Sequence, residues 1–232
     1  MNTIIRVITA AVLTAGNLGL AGVAGAAPLN DPAGLCSIHN DKGDCWVAAS
    51  GPSVNIDMTF PAGDPQEQAI VDYLTQVQKD FDDNTSLGTL DDPKPLQELE
   101  VTTTPYTSGS TSTLVLKTYQ NLGGPHPQTF YKSFTYDRAT KSPVTFDSLF
   151  RPGGEPLPVL LPIVTGDITN QVQQPITIDP ALGLDPANYQ NFALTDDAVI
   201  FFFDQNALMP ALGATEVSVP RAAIADLLAP GI

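Results

Sequence analysis

Two β-rich runs, STLVLKTYQN (residues 112–121) and TFYKSFTYD (129–137), are separated by little more than LGGPHP. A loop this short leaves no room for a crossover, so the two strands must pair antiparallel. In the second run Phe130, Lys132, Phe134 and Tyr136 alternate with Thr129, Tyr131, Ser133 and Thr135, the period of a strand with two different faces. Gly123 and Gly124 bring positive-φ freedom to the loop, and Pro125 and Pro127 fix φ on either side of His126. A chain organised around this hairpin is not a doubly wound parallel sheet.

Helical signals stand on both sides of it. In DPQEQAIVDYLTQVQKDF (64–81), Asp64 is placed to cap, Pro65 fits the first helical position and Glu67 has capping-box spacing. Ile70, Leu74, Val77 and Phe81 then recur on one face. The polar segment from Asp82 to Pro95 ends this helix and reads as a hinge. PLPVLLPIVTGDITNQVQ (156–173) sets Leu157, Leu161, Val164, Ile168 and Val172 on one face, with a bend or late start expected at Pro162. LQELEVTTTPY (96–106) reads as a further strand. NFALTDDAVIFFF (191–203) reads as two strands joined at Thr195-Asp196-Asp197, the second covered on both faces. TEVSVP (215–220) predicts a last strand and PRAAIADLLA (220–229) a closing helix. Antiparallel hairpins packed with two main helices, in two subdomains, make the class α+β.

Arg6 is the only charge before Asp31, and the apolar run from Val7 to Val23 ends in Ala24-Gly25-Ala26. That is the pattern of a secretory signal peptide over residues 1–26, and it places the mature chain outside the cytoplasm, secreted or cell-wall associated, with no stable membrane anchor after cleavage. Losing Arg6 takes the formal net charge from −15 to −16. Such a surface repels nucleic acid and anionic lipid; it favours cationic partners at low salt or no partner at all, and acidity that simply keeps an exported protein soluble is the more common case. Two cysteines in an exported protein, Cys36 and Cys45, predict one disulfide closing a short loop. A zinc site using His39 between them would have three ligands at best, so no metal and no cofactor is expected.

LKTYQNLGGPHP, GLDPANYQNFALTDDAVIFFF and EVSVPRAAI together closely resemble the mycobacterial secreted immunogenic protein family over roughly Cys36 to Leu228. More distantly they are similar to the extracytoplasmic lysozyme-binding domain of certain anti-sigma factors. The resemblance implies an N-terminal α+β subdomain over 27–110, carrying the disulfide arm, and a C-terminal α+β domain over 111–232. It implies an exported antigen that acts as a binding or host-interaction module, its partner a protein or cell-wall component, a cationic protein such as lysozyme included. Some family members are described as cell-wall esterases, so a serine-type hydrolase of short acyl esters is the alternative. The sequence predicts neither a cytoplasmic segment nor a following transmembrane helix of the anti-sigma kind, so direct transcriptional signalling by that route is not expected.

The G-x-S-x-G elbow is absent, but a catalytic triad is recognised by geometry and not by sequence order. If there is a base, His126 is the better histidine, with the N–H groups of Gly123 and Gly124 as oxyanion donors. Ser108, Ser110, Ser112 and Ser133 are the serines near it in sequence, and none stands out as nucleophile. The glycines and prolines already account for the turn, and the reading of His126 as a local backbone cap takes precedence over catalysis. Asp196 and Asp197 occupy a turn, while Asp82-Asp83 and Asp91-Asp92 read as solvated charge. Tyr189, Gln190 and Asn191 either line a pocket or satisfy local backbone groups. The sequence does not choose between these.

Overall fold

The computed structural model describes Leu35 and residues 38–84 and 95–232. The signal segment, Cys36 and most of the expected hinge (85–94) lie outside the described residues.

Strands β1 (Cys45–Ser50), β2 (Val54–Phe60), β3 (Gln97–Ser108), β4 (Thr111–Asn121), β5 (Gln128–Asp137) and β6 (Ser142–Pro143) form one sheet in sequence order. Helix α1 (Glu67–Asn84) follows β2 and makes the crossover that lets β2 and β3 pair parallel. All other neighbours in this sheet are antiparallel. A second sheet holds β7 (Phe192–Leu194), β8 (Ala198–Phe203) and β9 (Thr215–Pro220), antiparallel throughout. Between the sheets in sequence lie α2 (Phe146–Leu149), α3 (Leu157–Val172), α4 (Pro180–Gly183) and a 3-10 turn at Pro186–Tyr189. The class is α+β, with α1 and α3 as the two long helices among the described residues.

Ile70, Leu74, Val77 and Phe81 of α1 are buried against Ile56, Met58, Leu99, Leu116 and Phe134. Complete burial of each such side chain contributes about 1.5–3 kcal/mol. Leu160, Val164 and Ile168 of α3 pack on Val199, Phe201, Phe203, Val217 and Val219 in a second core. The two sheets meet back to back through Val115, Tyr131, Ala193 and Phe202. Strand β8 therefore sends Phe201 and Phe203 towards α3 and Phe202 towards the larger sheet, which is why its sequence is apolar without alternation. The order of layers is α1, six-stranded sheet, three-stranded sheet, α3. The 110/111 boundary falls in the turn of the β3–β4 hairpin, whose strands register from Glu98↔Asn121 to Ser108↔Thr111, so residues on both sides of it belong to one sheet.

Local chemistry explains three departures from the sequence reading. The α1 cap is displaced: Asp64 accepts from the Gln66 N–H at 2.7 Å, and the Glu67 carboxylate reaches back to Gly63 N at 2.6 Å, so the regular helix starts at Glu67. Helix α3 is continuous through Pro162 and starts at Leu157, so it has no late start. Pro158, whose carbonyl loses its helical donor, and Pro162 are both exposed, so water can take over that bond. Leu160, Val164 and Ile168 form its buried stripe, while Leu157 and Leu161 pack at the margin and Val172 is exposed. The expected closing helix is a 3-10 turn at Arg221–Ala223 followed by turns. Here Arg221 is drawn back to the TDD hairpin: its backbone N–H donates to Asp197 O, and its guanidinium donates to Thr195 O and Ser108 Oγ.

Candidate functional site

The GGPHP loop does join β4 to β5, with Gln120↔Gln128 as the last registered pair. Gly123 has φ +79°, whereas Gly124 needs no positive φ. The Gly123 N–H donates to Asn121 Oδ1 at 2.9 Å, so in this conformation it is committed to the loop and not offered to an oxyanion. His126 is exposed at the tip. Ser108, Ser110 and Ser112 sit around the β3–β4 turn, at the opposite end of β4. Eleven β4 residues separate the two ends, about 36 Å of strand at roughly 3.3 Å per residue. Ser133 lies further along β5, and its hydroxyl accepts from the Phe192 N–H at 2.9 Å. The structure brings none of these four serines to His126. The described serines at the His126 end of the sheet are Ser50 and Ser53, around the β1–β2 turn, and the sequence singles out neither. The Ser53 carbonyl accepts from Gln97 N at 2.8 Å, and the Gln97 amide in turn donates to Leu122 O at 3.4 Å.

Tyr189, Gln190 and Asn191 turn to three separate partners. Tyr189 is fully buried among Phe146, Phe201 and Phe203 and donates its hydroxyl to Gly183 O at 2.8 Å. The exposed Gln190 donates to Pro186 O. Asn191 bonds the β5 backbone twice, accepting from Ser133 N and donating to Tyr131 O.

Asn191 belongs to a larger arrangement. Beyond β6 no strand among the described residues pairs with the outer edge of β5, and side chains just before β7 and just after β8 satisfy it instead. Asp204 accepts from Tyr131 N at 2.7 Å, and Gln205 accepts from Thr129 N and donates to Pro127 O. Gln205 thus anchors the GGPHP loop. Beside it Asp204 helps line a cleft of about 350 Å³ with Tyr73, Gln76, Val77 and Asp80 of α1 and Gln120, Phe130 and Tyr131 of the hairpin. Burial raises the Asp204 pKa, an effect partly offset by the Tyr131 N–H. Burial likewise pushes the Tyr73 and Tyr131 hydroxyls up to about 12. Both phenols therefore stay protonated at neutral pH. The cleft offers an apolar floor, hydroxyl donors and carboxylate acceptors, and no lining residue is an activated nucleophile. Asp204 and Tyr73 are invisible to periodicity; the sequence signal is a lone carboxylate directly after VIFFF. Among the described residues no cluster of His, Cys, Asp and Glu could hold a metal ion.

The Immunogenic protein MPB64 of Mycobacterium bovis is 40% identical over 232 residues, covering 97% of this chain and 98% of its own length. The chain belongs to the mycobacterial MPB64/MPT64 immunogenic protein family. Esterase Rv3036c of Mycobacterium tuberculosis is 46% identical over 188 residues, 79% of this chain and 82% of that protein. Residues 147–222 match the family described as protein of unknown function DUF3298. That span runs from α2 through β9, so it includes Tyr189, Asn191 and Asp204 but not His126. A crystal structure of a DUF3298 family protein from Pseudomonas aeruginosa shares the fold, with TM-score 0.53 and 18% identity over 84% of this chain and 97% of that one.

Proposed function

We propose that the protein is an exported binding module of the cell surface, whose cleft between α1 and β5 receives a lysine or arginine side chain from a basic partner protein. The observation that carries this reading is the composition of the cleft: Val77 and Phe130 suit an aliphatic stem, and Asp80 and Asp204 suit its cationic head. A desolvated carboxylate gains most from an incoming cation, because that charge restores the stabilisation burial removed. The mature chain's formal net charge of −16, the −15 of the full sequence less Arg6, would speed encounter with such a partner. Among the described residues no helix is long and apolar enough to cross a membrane.

The test is calorimetric titration with lysozyme and with a size-matched basic control near physiological salt, using wild type, Asp204→Asn and Asp80→Asn. Saturable lysozyme binding that both variants weaken, with a weak heat for the control, supports the cleft. Equal weak heats for both titrants discard specific recognition of lysozyme. Binding that neither variant changes removes the cleft from the interaction.

The name of the 46%-identical relative supports hydrolysis of short acyl esters as a second reading. On that reading His126 would be the base and Ser53 the serine to test, because Gln97 bonds both the Ser53 carbonyl and Leu122 O of the His126 loop. Turnover of a p-nitrophenyl butyrate by purified protein, abolished in both His126→Ala and Ser53→Ala, is the result it requires.

A further inference from the structure

The face of the six-stranded sheet turned away from α1 carries a surface distinct from the cleft. The smaller sheet covers it around Val115 and Tyr131, and further along the strands it is open. Register brings one row of side chains across it: Ala48, Asp57, Glu100, Tyr119 and Thr129 are successive partners from β1 to β5. Trp46 lies on the same face, two residues from Ala48. Its indole Nε1 donates to Asp57 at 3.1 Å, which fixes the ring's orientation while 39% of the residue remains exposed. Towards the other end, Glu100, Thr102, Lys117, Tyr119 and Thr129 line a cleft of about 270 Å³.

Two features of this face ask for a ligand. Asp57 and Glu100 are partners across the parallel β2–β3 pair, two exposed carboxylates side by side, which repel each other. Trp46 keeps 39% of its surface in solvent, where fuller burial would have stabilised the fold. Together they point to function retained against stability. The ligand class follows from the groups. Trp46 and Tyr119 are flat apolar rings on strands three spacings apart, about 14 Å. Between and beside them lie carboxylates, threonine hydroxyls and one ammonium, all hydrogen-bonding groups with no contiguous apolar patch. A dry protein interface needs an apolar centre, which this face lacks. An oligosaccharide of two or three pyranose rings has what fits: C–H faces to stack on the rings, and hydroxyls for the groups between. Asp57 and Glu100 against a single Lys117 exclude uronic or sulfated sugars.

We propose that this face binds a neutral oligosaccharide, with Trp46 and Tyr119 as stacking platforms and Asp57, Glu100 and Lys117 holding its hydroxyls. Trp46 is the only tryptophan in the chain, so its emission reports this face alone. The experiment titrates the mature protein with maltohexaose, cellohexaose, mannohexaose and galactohexaose, with a heparin hexasaccharide and hexa-arginine as contrasts. The expected result is a saturable shift in Trp46 emission with at least one neutral sugar and none with heparin. Tyr119→Ala and Glu100→Gln should each weaken that response about tenfold, about 1.4 kcal/mol, with unchanged circular dichroism. Glu100→Gln removes a like-charge pair and so keeps the test clear of unfolding. No saturable response to any neutral sugar overturns the proposal. So does a response that both variants leave intact, or one given by hexa-arginine alone, which would make the face a cation site.

Discussion

The Asp204 carboxylate accepts a 2.7 Å hydrogen bond from the backbone N–H of Tyr131, joining the end of β8 to the open edge of β5. With Asn191 and Gln205 it gives that edge hydrogen-bond partners without adding a strand, and so blunts a surface on which another chain could pair. The bond places a charge where burial opposes it. A folded pKa above the ordinary 3.8 means the folded state holds its proton to higher pH than the unfolded chain does. Ionisation of Asp204 therefore destabilises the fold: the penalty is absent below about 3.8, grows as pH rises through the folded pKa, and is complete above it. Asp204→Asn keeps an oxygen for Tyr131 N and removes the charge. Its melting temperature should exceed that of wild type at pH 7, by an increment that disappears towards pH 3. A constant increment across this range would show that the charge is not the cause. If the cleft holds a cation, the same variant gains stability and loses partner affinity.

Tyr189 is the polar centre of an otherwise apolar core, and its hydroxyl bond to Gly183 O is fully buried. Tyr189→Phe should cost about 1 kcal/mol, the net worth of a buried hydrogen bond with its acceptor left unpaired. Tyr189→Ala should cost about 3–5 kcal/mol through the cavity between Phe146, Phe201 and Phe203. Urea denaturation of both variants measures the two steps separately. A neutral Tyr189→Phe would show that the bond contributes nothing net.

The elements most legible in the sequence were those whose side chains obey one period. The stripe from Ile70 to Phe81, the alternation along TFYKSFTYD and the apolar AVIFFF each report a single packing environment. The β2 stretch VNIDMTF alternates as strictly as TFYKSFTYD, with Ile56, Met58 and Phe60 buried and Asn55 and Asp57 exposed, and is legible by the same period, whereas the small residues of CWVAAS weaken the alternation along β1. PRAAIADLLA reads as helix by propensity, and tertiary bonds from Arg221 override it. The site was harder still. Asp204, Tyr73 and Gln120 stand on three elements far apart in sequence, and only the layer order brings them to one cleft. Proximity in sequence suggested serines for His126, whereas a β-hairpin carries its turn residues away from its loop by the full strand length.

Leu35 is 1% exposed and belongs to the same core as the fully buried Cys45 at the start of β1. Its neighbour Cys36 lies outside the described residues, and a Cys36–Cys45 bridge would hold Leu35 in that core. Non-reduced peptide mapping of exported protein should find the two cysteines linked, with an N-terminus at Ala27. Reduction should lower stability by about 2–3 kcal/mol, as expected for so short a loop. Two alkylatable thiols in folded exported protein would eliminate the bridge.

Gly123 and His126 occupy one loop and should respond oppositely to alanine. Gly123 has φ +79°, and a Cβ there would stand 3.0 Å from Pro95 Cγ. Gly123→Ala should destabilise the protein by about 1 kcal/mol or more, because both the backbone conformation and the space oppose it. His126 is exposed, and His126→Ala should change stability by less than about 0.5 kcal/mol. With Ser133 bonded to Phe192 N and Ser108, Ser110 and Ser112 at the far end of β4, hydrolysis of a p-nitrophenyl ester should be the same for wild type, His126→Ala and Ser133→Ala. Thermal melts and initial rates on the same preparations check both halves. A His126→Ala protein that melts like wild type yet loses turnover by orders of magnitude would establish the imidazole as a catalytic base. It would then reinstate the hydrolase reading over the binding module.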